Sequence, residues 1–205
     1  MGNEKKFLLH TFAFKYFKKI TLMITSKSDL KFYLSEDLKR YNNKKPTLKD
    51  WLLHNESWYI YHYIYHLRHV EFYKNTHKCP ILFLYHWLRY KHLGFKLRFT
   101  IYPNTIGPGL RIYHTGDFIH VKQTCNIGRN CTLLPGVVFG NKYEQEDKNE
   151  VIVGDNCYFG LGVKIFGNIK IGNNVTIGAN AVVTHDIPDN AIVGGIPAKI
   201  IKYNI

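Results

Sequence analysis

From Val153 to Ile187 an apolar side chain returns at every sixth position: Val153, Phe159, Ile165, Ile171, Ile177 and Val183. Glycine follows most of them, at Gly154, Gly160, Gly172 and Gly178. A small or aliphatic residue stands four places on from each, at Cys157, Val163, Ile169, Val175, Ala181 and Ile187. A period of six fits neither the 3.6 of an α-helix nor the alternation of a half-buried strand. It predicts the coils of a parallel β-helix, in which short strands joined by turns stack coil on coil. The first and fifth positions of the phrase then point inward in columns, and glycine admits a tight corner without a Cβ clash.

The phrase reaches back along the chain. Val121, Ile127, Leu133 and Phe139 recur at six, with Gly128 and Gly140 in second place, and Ile106-Gly107 and Ile112 open the first coils. The register slips between 112 and 121, which predicts an irregular turn at His114 to Phe118. It breaks again from Asn141 to Glu150, where Lys142, Glu144, Glu146, Asp147, Lys148 and Glu150 predict a loop thrown out over 141–151. Pro188 and then Gly194-Gly195-Ile196-Pro197 mark where the solenoid stops.

Before Phe99 the pattern is helical. Thr47 and Asp50 form a capping-box signature ahead of Leu48, Trp51 and Leu52. Ser57 is expected to cap a helix through Tyr61, Ile64, Tyr65 and Leu67. Pro80 opens another, with Ile81, Leu84, Tyr85 and Leu88 at helical spacing and Gly94 at its end. The chain thus divides into an α-helical region over 1–100 and a β-helix domain over 101–205.

Charge sharpens that division. The first hundred residues hold 19 Lys and Arg against 7 Asp and Glu, a balance of +12, whereas residues 101–205 hold 9 against 8. Of the aromatic residues, 22 lie in the first hundred. Residues 1–27, with Phe7, Phe12, Phe14, Phe17 and Ile20 between lysines, fit two descriptions. One is an amphipathic helix on an anionic membrane surface; the other, preferred, is a solvated helix packing its aromatic side on its neighbours. No nucleic-acid-binding motif accompanies the charge, so no nucleic-acid partner is expected. No signal peptide, membrane span or myristoylation pattern is evident, which leads us to expect a cytoplasmic protein. Cys125, Cys131 and Cys157 fall at the fifth place of their hexapeptides, where a small apolar side chain is wanted, and are read as reduced core residues. The histidines of the helical half lack the spacing of metal ligands.

Three stretches carry a resemblance: Ile106-Gly107-Pro108-Gly109-Leu110-Arg111-Ile112-Tyr113-His114, Ile177-Gly178-Ala179-Asn180-Ala181-Val182-Val183, and Gly194-Gly195-Ile196-Pro197-Ala198-Lys199. They resemble the hexapeptide-repeat acyltransferases, in the serine acetyltransferase-like group that includes O-acetyltransferases of surface polysaccharides. The resemblance implies a mainly β fold, a left-handed parallel β-helix preceded by helices. It also implies a homotrimer with acetyl-CoA in the groove between subunits, and no metal. His114 matches the family's catalytic histidine, and a neutral imidazole, with a pKa of about 6.5, suits removal of a hydroxyl proton. The family's CoA contacts fall on Leu161 and Ala179, whose backbone would meet the pantetheine arm, on Lys199 and Lys202 for phosphates, and on Thr184 and His185.

Where serine acetyltransferases carry aspartates around the histidine, this chain has Tyr113 and Thr100; Asp117 stands at another offset. Where a second histidine follows the loop, it has Asn149 and Glu150. These departures lead us to expect a sugar hydroxyl of a surface polysaccharide as acceptor, with the basic half suited to an anionic carrier or to the inner face of the membrane. Serine O-acetyl transfer is the alternative, and an inactive trimeric scaffold is the answer of a different class. Zinc-dependent carbonic anhydrase chemistry is disfavoured, because the coil half offers only His114, His120 and His185.

Overall fold

A computed structural model describes residues 23–142 and 149–204. The basic aromatic stretch up to Leu22, and residues 143–148 of the predicted loop, lie outside the described residues. Four helices come first: α1 (Lys27–Lys39), α2 (Leu48–Leu52), α3 (Glu56–Thr76) and α4 (Pro80–Leu97). Among the described residues no helix is long and apolar enough to cross a membrane.

From Phe99 the chain winds into short strands that form three parallel ladders. One joins β1 (Phe99–Ile101), β3 (Ile119–Val121), β6 (Val138–Gly140), β9 (Lys164–Phe166) and β12 (Val182–Val183). A second joins β4 (Cys125–Ile127), β7 (Val151–Val153) and β10 (Ile169–Ile171). The third runs through β2 (Arg111–Ile112), β5 (Thr132–Leu133), β8 (Tyr158–Phe159), β11 (Thr176–Ile177) and β13 (Ala191–Gly194), and ends on the antiparallel β14 (Lys199–Tyr203). The chain visits the three ladders in rotation, which makes the β-helix that the period predicts. Lys164 pairs with Val182 eighteen positions on, so a regular coil takes three hexapeptides. Val138 pairs with Lys164 twenty-six positions on, and that surplus is the interruption after Gly140.

First and fifth positions are buried in columns. Val153, Phe159, Ile165, Ile171 and Val183 are sealed from solvent, as are Cys131, Cys157, Val163, Val175 and Ala181. All four cysteines are free, and Cys125, Cys131 and Cys157 are buried. The second-place glycines serve close approach between coils: a Cβ on Gly128, Gly154 or Gly172 would strike the side-chain oxygen of Asp155, Asn173 or Asp189 on the next coil. The left-handed backbone of the corner itself is carried by asparagine, at Asn130, Asn156, Asn174 and Asn190, with φ between 56° and 61°.

The helices close the open end of the solenoid. A bare first strand would present unpaired N–H and C=O groups. Here the Tyr63 hydroxyl accepts from the Ile101 N–H at 3.2 Å, and the Tyr90 hydroxyl donates to the Ile101 carbonyl. Tyr41 accepts from the Ile112 N–H at 2.8 Å. Beneath them Arg68, with no exposed surface, bonds Asp37, Glu71 and the carbonyls of Ile106 and Gly107. Asp37 in turn accepts from the N–H groups of Gly109 and Leu110, both at 2.8 Å.

Two helix ends differ from expectation. Asn55, not Ser57, is the N-cap of α3, so Glu56 falls in its first turn. Helix α4 runs past Gly94 to Leu97 and ends on Arg98 in the left-handed region. Gly94 stays inside the helix because a Cβ there would crowd the Phe99 carbonyl oxygen at 2.8 Å and the Tyr63 ring at 3.2 Å.

Candidate active site

His114 follows β2 on the expected irregular turn, with a positive φ of 55° that turns its side chain off the coil. It is exposed, and its Nδ1 lies 2.7 Å from Glu56 Oε1. An ionised carboxylate can only accept, so the Nδ1 proton sits between the two groups and Nε2 is left as the acceptor. The other Glu56 oxygen accepts from the Thr115 N–H at 3.0 Å and lies 3.4 Å from its hydroxyl. Both carboxylate oxygens are therefore committed to one turn, which fixes the orientation of the imidazole.

The position of Glu56 is itself built. Asp50 closes the capping box of α2 by accepting from the Thr47 N–H at 2.6 Å, and it also accepts from the Asn55 side-chain amide at 2.9 Å. The Thr47 backbone bond, helped by the Asn55 amide, holds the Asp50 carboxyl down to about 2. Asn55 is thereby pinned as the N-cap of α3, and Glu56 is delivered to the β-helix from 58 positions away in sequence. Sequence reading missed Glu56. The one signal it offers is that Glu56 is the only carboxylate between Asp50 and Glu71.

The positions compared with the family's aspartates, and Asp117, are occupied otherwise. Thr100 is within β1, and Tyr113 holds the Arg111 guanidinium over its ring at 4.1 Å. Asp117 accepts from its neighbour's N–H, at Phe118, 2.7 Å away. His120 sits on β3 with its ring stacked on Phe118, and burial, then the Lys122 charge, lowers its pKa. Among the described residues no set of three His, Cys, Asp or Glu is arranged to hold a metal ion.

The expected CoA residues fall in two groups. Leu134, Gly160 and Gly178 are linked coil to coil by backbone bonds (Leu134 N–H to Phe159, Gly160 N–H to Ile177, Gly178 N–H to Val193). This corner continues from the His114 turn, so exposed Leu161 and Ala179 stand two and three coils along from His114 on one edge. At about 4.8 Å per coil, that edge offers a run of roughly 15 Å. Lys199 lies opposite Gly194 at its end, and Lys202 opposite Ile192. Thr184 and His185 follow β12 on another corner and bond each other at 2.9 Å.

A cleft of about 400 Å³ opens beside the histidine turn, lined by His54, Glu56, Tyr59, Lys96, Leu97, Arg98, Thr115 and Gly116. Lys96 and Arg98 line it together with Glu56, the carboxylate already committed to His114. The Lys96 ammonium rests over the Tyr59 ring at 4.2 Å.

Set against known proteins, residues 150–185 and 168–195 match the hexapeptide repeat of succinyl-transferase. The serine acetyltransferase of Staphylococcus aureus (strain Mu50 / ATCC 700699) is 42% identical over 105 residues, 51% of this chain and 49% of that protein. That of Staphylococcus epidermidis (strain ATCC 12228 / FDA PCI 1200) is 43% identical over 103 residues, 50% of this chain and 48% of the relative. The chain thus spans about half the length of the curated relatives it matches. Among solved structures, Neisseria gonorrhoeae serine acetyltransferase superposes with a TM-score of 0.65 at 24% identity, over 88% of this chain and 69% of that one. Brucella abortus serine acetyltransferase in complex with coenzyme A gives 0.63 at 22% identity, over 87% and 70%. These superpositions extend the shared fold over the helices as well as the coils.

Proposed function

We propose that this chain, which resembles the hexapeptide-repeat acyltransferases, is an acetyl-CoA-dependent O-acetyltransferase acting on the hydroxyl of L-serine. The observation that carries this reading is the His114–Glu56 pair. His114 Nε2 takes the acceptor's hydroxyl proton as the oxygen attacks the thioester carbonyl, and Glu56 stabilises the imidazolium that forms. Backbone N–H groups of the turn shelter the oxyanion. The tetrahedral intermediate then collapses, the C–S bond breaks, and the CoA thiolate recovers the proton from His114. The products are the O-acetyl ester and CoA-SH.

Serine replaces the polysaccharide sugar as the preferred acceptor for three reasons. The argument for a sugar rested on carboxylates missing at Thr100 and Tyr113, and Glu56 supplies one from the helical half. The relatives that share the β-helix are named serine acetyltransferases. Lys96 and Arg98 in the adjoining cleft suit the carboxylate of an amino acid. The assembly that accompanies this reading is a homotrimer, with CoA along the edge of Leu161, Ala179 and Lys199.

Thiol release from acetyl-CoA, measured with L-serine and then with glycan acceptors, tests it. Serine-dependent release is expected, falling by about 10² or more in His114→Ala. Release with a glycan and none with serine restores the sugar acceptor. No release with any acceptor, and no CoA binding, leaves a scaffold.

A further inference from the structure

Helix α4 is apolar on two opposite sides. His86, Tyr90, Leu93, Gly94 and Leu97 form its buried stripe. At 100° per residue, Ile81, Leu84, Leu88 and Phe95 fall within an arc of about 60° directly opposite. These four are 80%, 53%, 53% and 90% exposed. A helix with a single face to bury should be polar there. A contiguous apolar stripe in water marks an interaction surface. Tyr85 and Trp87, both exposed, flank it.

Charge identifies the partner. Between Glu71 and Asp117 the sequence has no carboxylate, while it has Lys74, Lys78, Arg89, Lys91, Lys96, Arg98 and Arg111. Of these, Lys91 is exposed on α4 itself at the border of the stripe, and among the described residues it joins no ion pair. A second copy of the same face would set one basic stretch without carboxylates against another, which disfavours pairing about a two-fold axis. An anionic lipid surface answers both features at once. It takes apolar side chains at the boundary between headgroups and acyl chains, and its phosphates receive the lysines and arginines. Tyr and Trp are the residues that settle at that level.

We propose that α4 docks this protein on an anionic membrane surface, with Ile81, Leu84, Leu88 and Phe95 entering the interface and Lys91 contacting lipid phosphates. The helix lies on the bilayer without crossing it. The inference holds whatever reaction the β-helix performs.

Co-sedimentation of the full chain with vesicles tests it, using equal parts phosphatidylcholine and phosphatidylglycerol against phosphatidylcholine alone. Binding to the anionic vesicles only is expected, weakening as salt is raised. Leu84→Glu with Leu88→Glu, both on the exposed face, is expected to lower partitioning at least tenfold, about the loss expected when two buried apolar side chains become charges. Circular dichroism melting should stay as in the parent. Lys91→Glu should lower partitioning by about fivefold or more. Three results would overturn the proposal. The parent chain could fail to bind anionic vesicles. The double variant could bind as well as the parent, which would assign lipid binding to the basic residues before Met23. Or the double variant could lose an assembly seen by sedimentation velocity, which would make the stripe a subunit contact.

Discussion

The two halves of this molecule are built on opposite logics. In the β-helix every coil repeats the one below: the same inward columns, the same corner asparagines, the same backbone bonds passed from strand to strand. Its polar groups are met by identical neighbours, so any one position is supported by copies of itself. In the helical half nothing repeats. Asp37, Arg68 and Glu71 are buried and charged, Tyr41, Tyr63 and Tyr90 reach out to particular backbone atoms of the first coil, and Glu56 is aimed at one histidine. The regular half provides a rigid edge; the irregular half completes the chemistry on it.

The sharpest way to break that division of labour is to uncouple the halves at Arg68. Arg68→Ala leaves Asp37 and Glu71 buried without their cation and removes two bonds to the carbonyls of the first coil. Loss of one member of such a network costs about 3–5 kcal/mol. Chemical denaturation should show the helices releasing before the β-helix, in place of one shared transition. A single transition with unchanged midpoint would mean that the tyrosine bonds suffice to join the halves.

Next in size is the one contact through which the helical half enters the proposed chemistry. Glu56→Gln keeps the shape but offers His114 an amide, which no longer enforces the Nδ1 proton or stabilises an imidazolium. The rate of acetyl transfer should fall by about 10²-fold with little change in affinity for CoA. Equal loss in CoA affinity would instead assign Glu56 a role in holding the coil edge.

A smaller effect separates the halves by pH. His66 and His86 meet on α3 and α4 with their Nδ1 atoms 2.9 Å apart, so one must donate and one accept. Burial, then the neighbouring charge, pushes His66 down to about 3; burial, then His69, pushes His86 down to about 4. Both therefore bind protons more readily in the unfolded chain. Their stabilising contribution is complete above the ordinary histidine value near 6.5 and is lost as pH falls from there toward 4 and 3. Helical-half melting should weaken over that window, and the slope should flatten in His66→Phe with His86→Phe. The β-helix half holds one histidine lowered in the same direction, His120 on β3, by burial and then by Lys122, so it should share the trend only weakly.

How much of this was legible in the chain follows from the same contrast. A period of six repeated over Val153 to Val183 announces its own geometry, because a column needs the same kind of residue at each return. The histidine turn was visible as a slip in that register. Glu56 was not, since nothing local relates a first-turn glutamate to a histidine 58 positions later. Ser57 misled for a related reason: a serine before an apolar run is a sound capping signal, but Asp50 had already fixed Asn55 as the cap. Gly94 misled because packing against Phe99 and Tyr63, not a helix end, requires it.

The smallest prediction probes the corner that makes the β-helix repeat. Asn156 has a φ of 59°, accepts from Asn130 at 3.2 Å and donates to Asn174 at 3.1 Å. Asn174 continues the line by donating to Asn190 at 2.9 Å. Two separate effects are joined here, a left-handed backbone and an amide ladder, and two substitutions pull them apart. Asn156→Ala imposes the backbone penalty of about 1–2 kcal/mol and also breaks the ladder. Asn156→Gly breaks the ladder alone, at about 0.5–1.5 kcal/mol, and leaves the backbone at ease. Thermal denaturation should therefore place glycine between asparagine and alanine. If glycine matched asparagine, the ladder would be ornament and the corner would be set by backbone conformation alone. If glycine matched alanine, the side-chain bonds would be what holds successive coils in register.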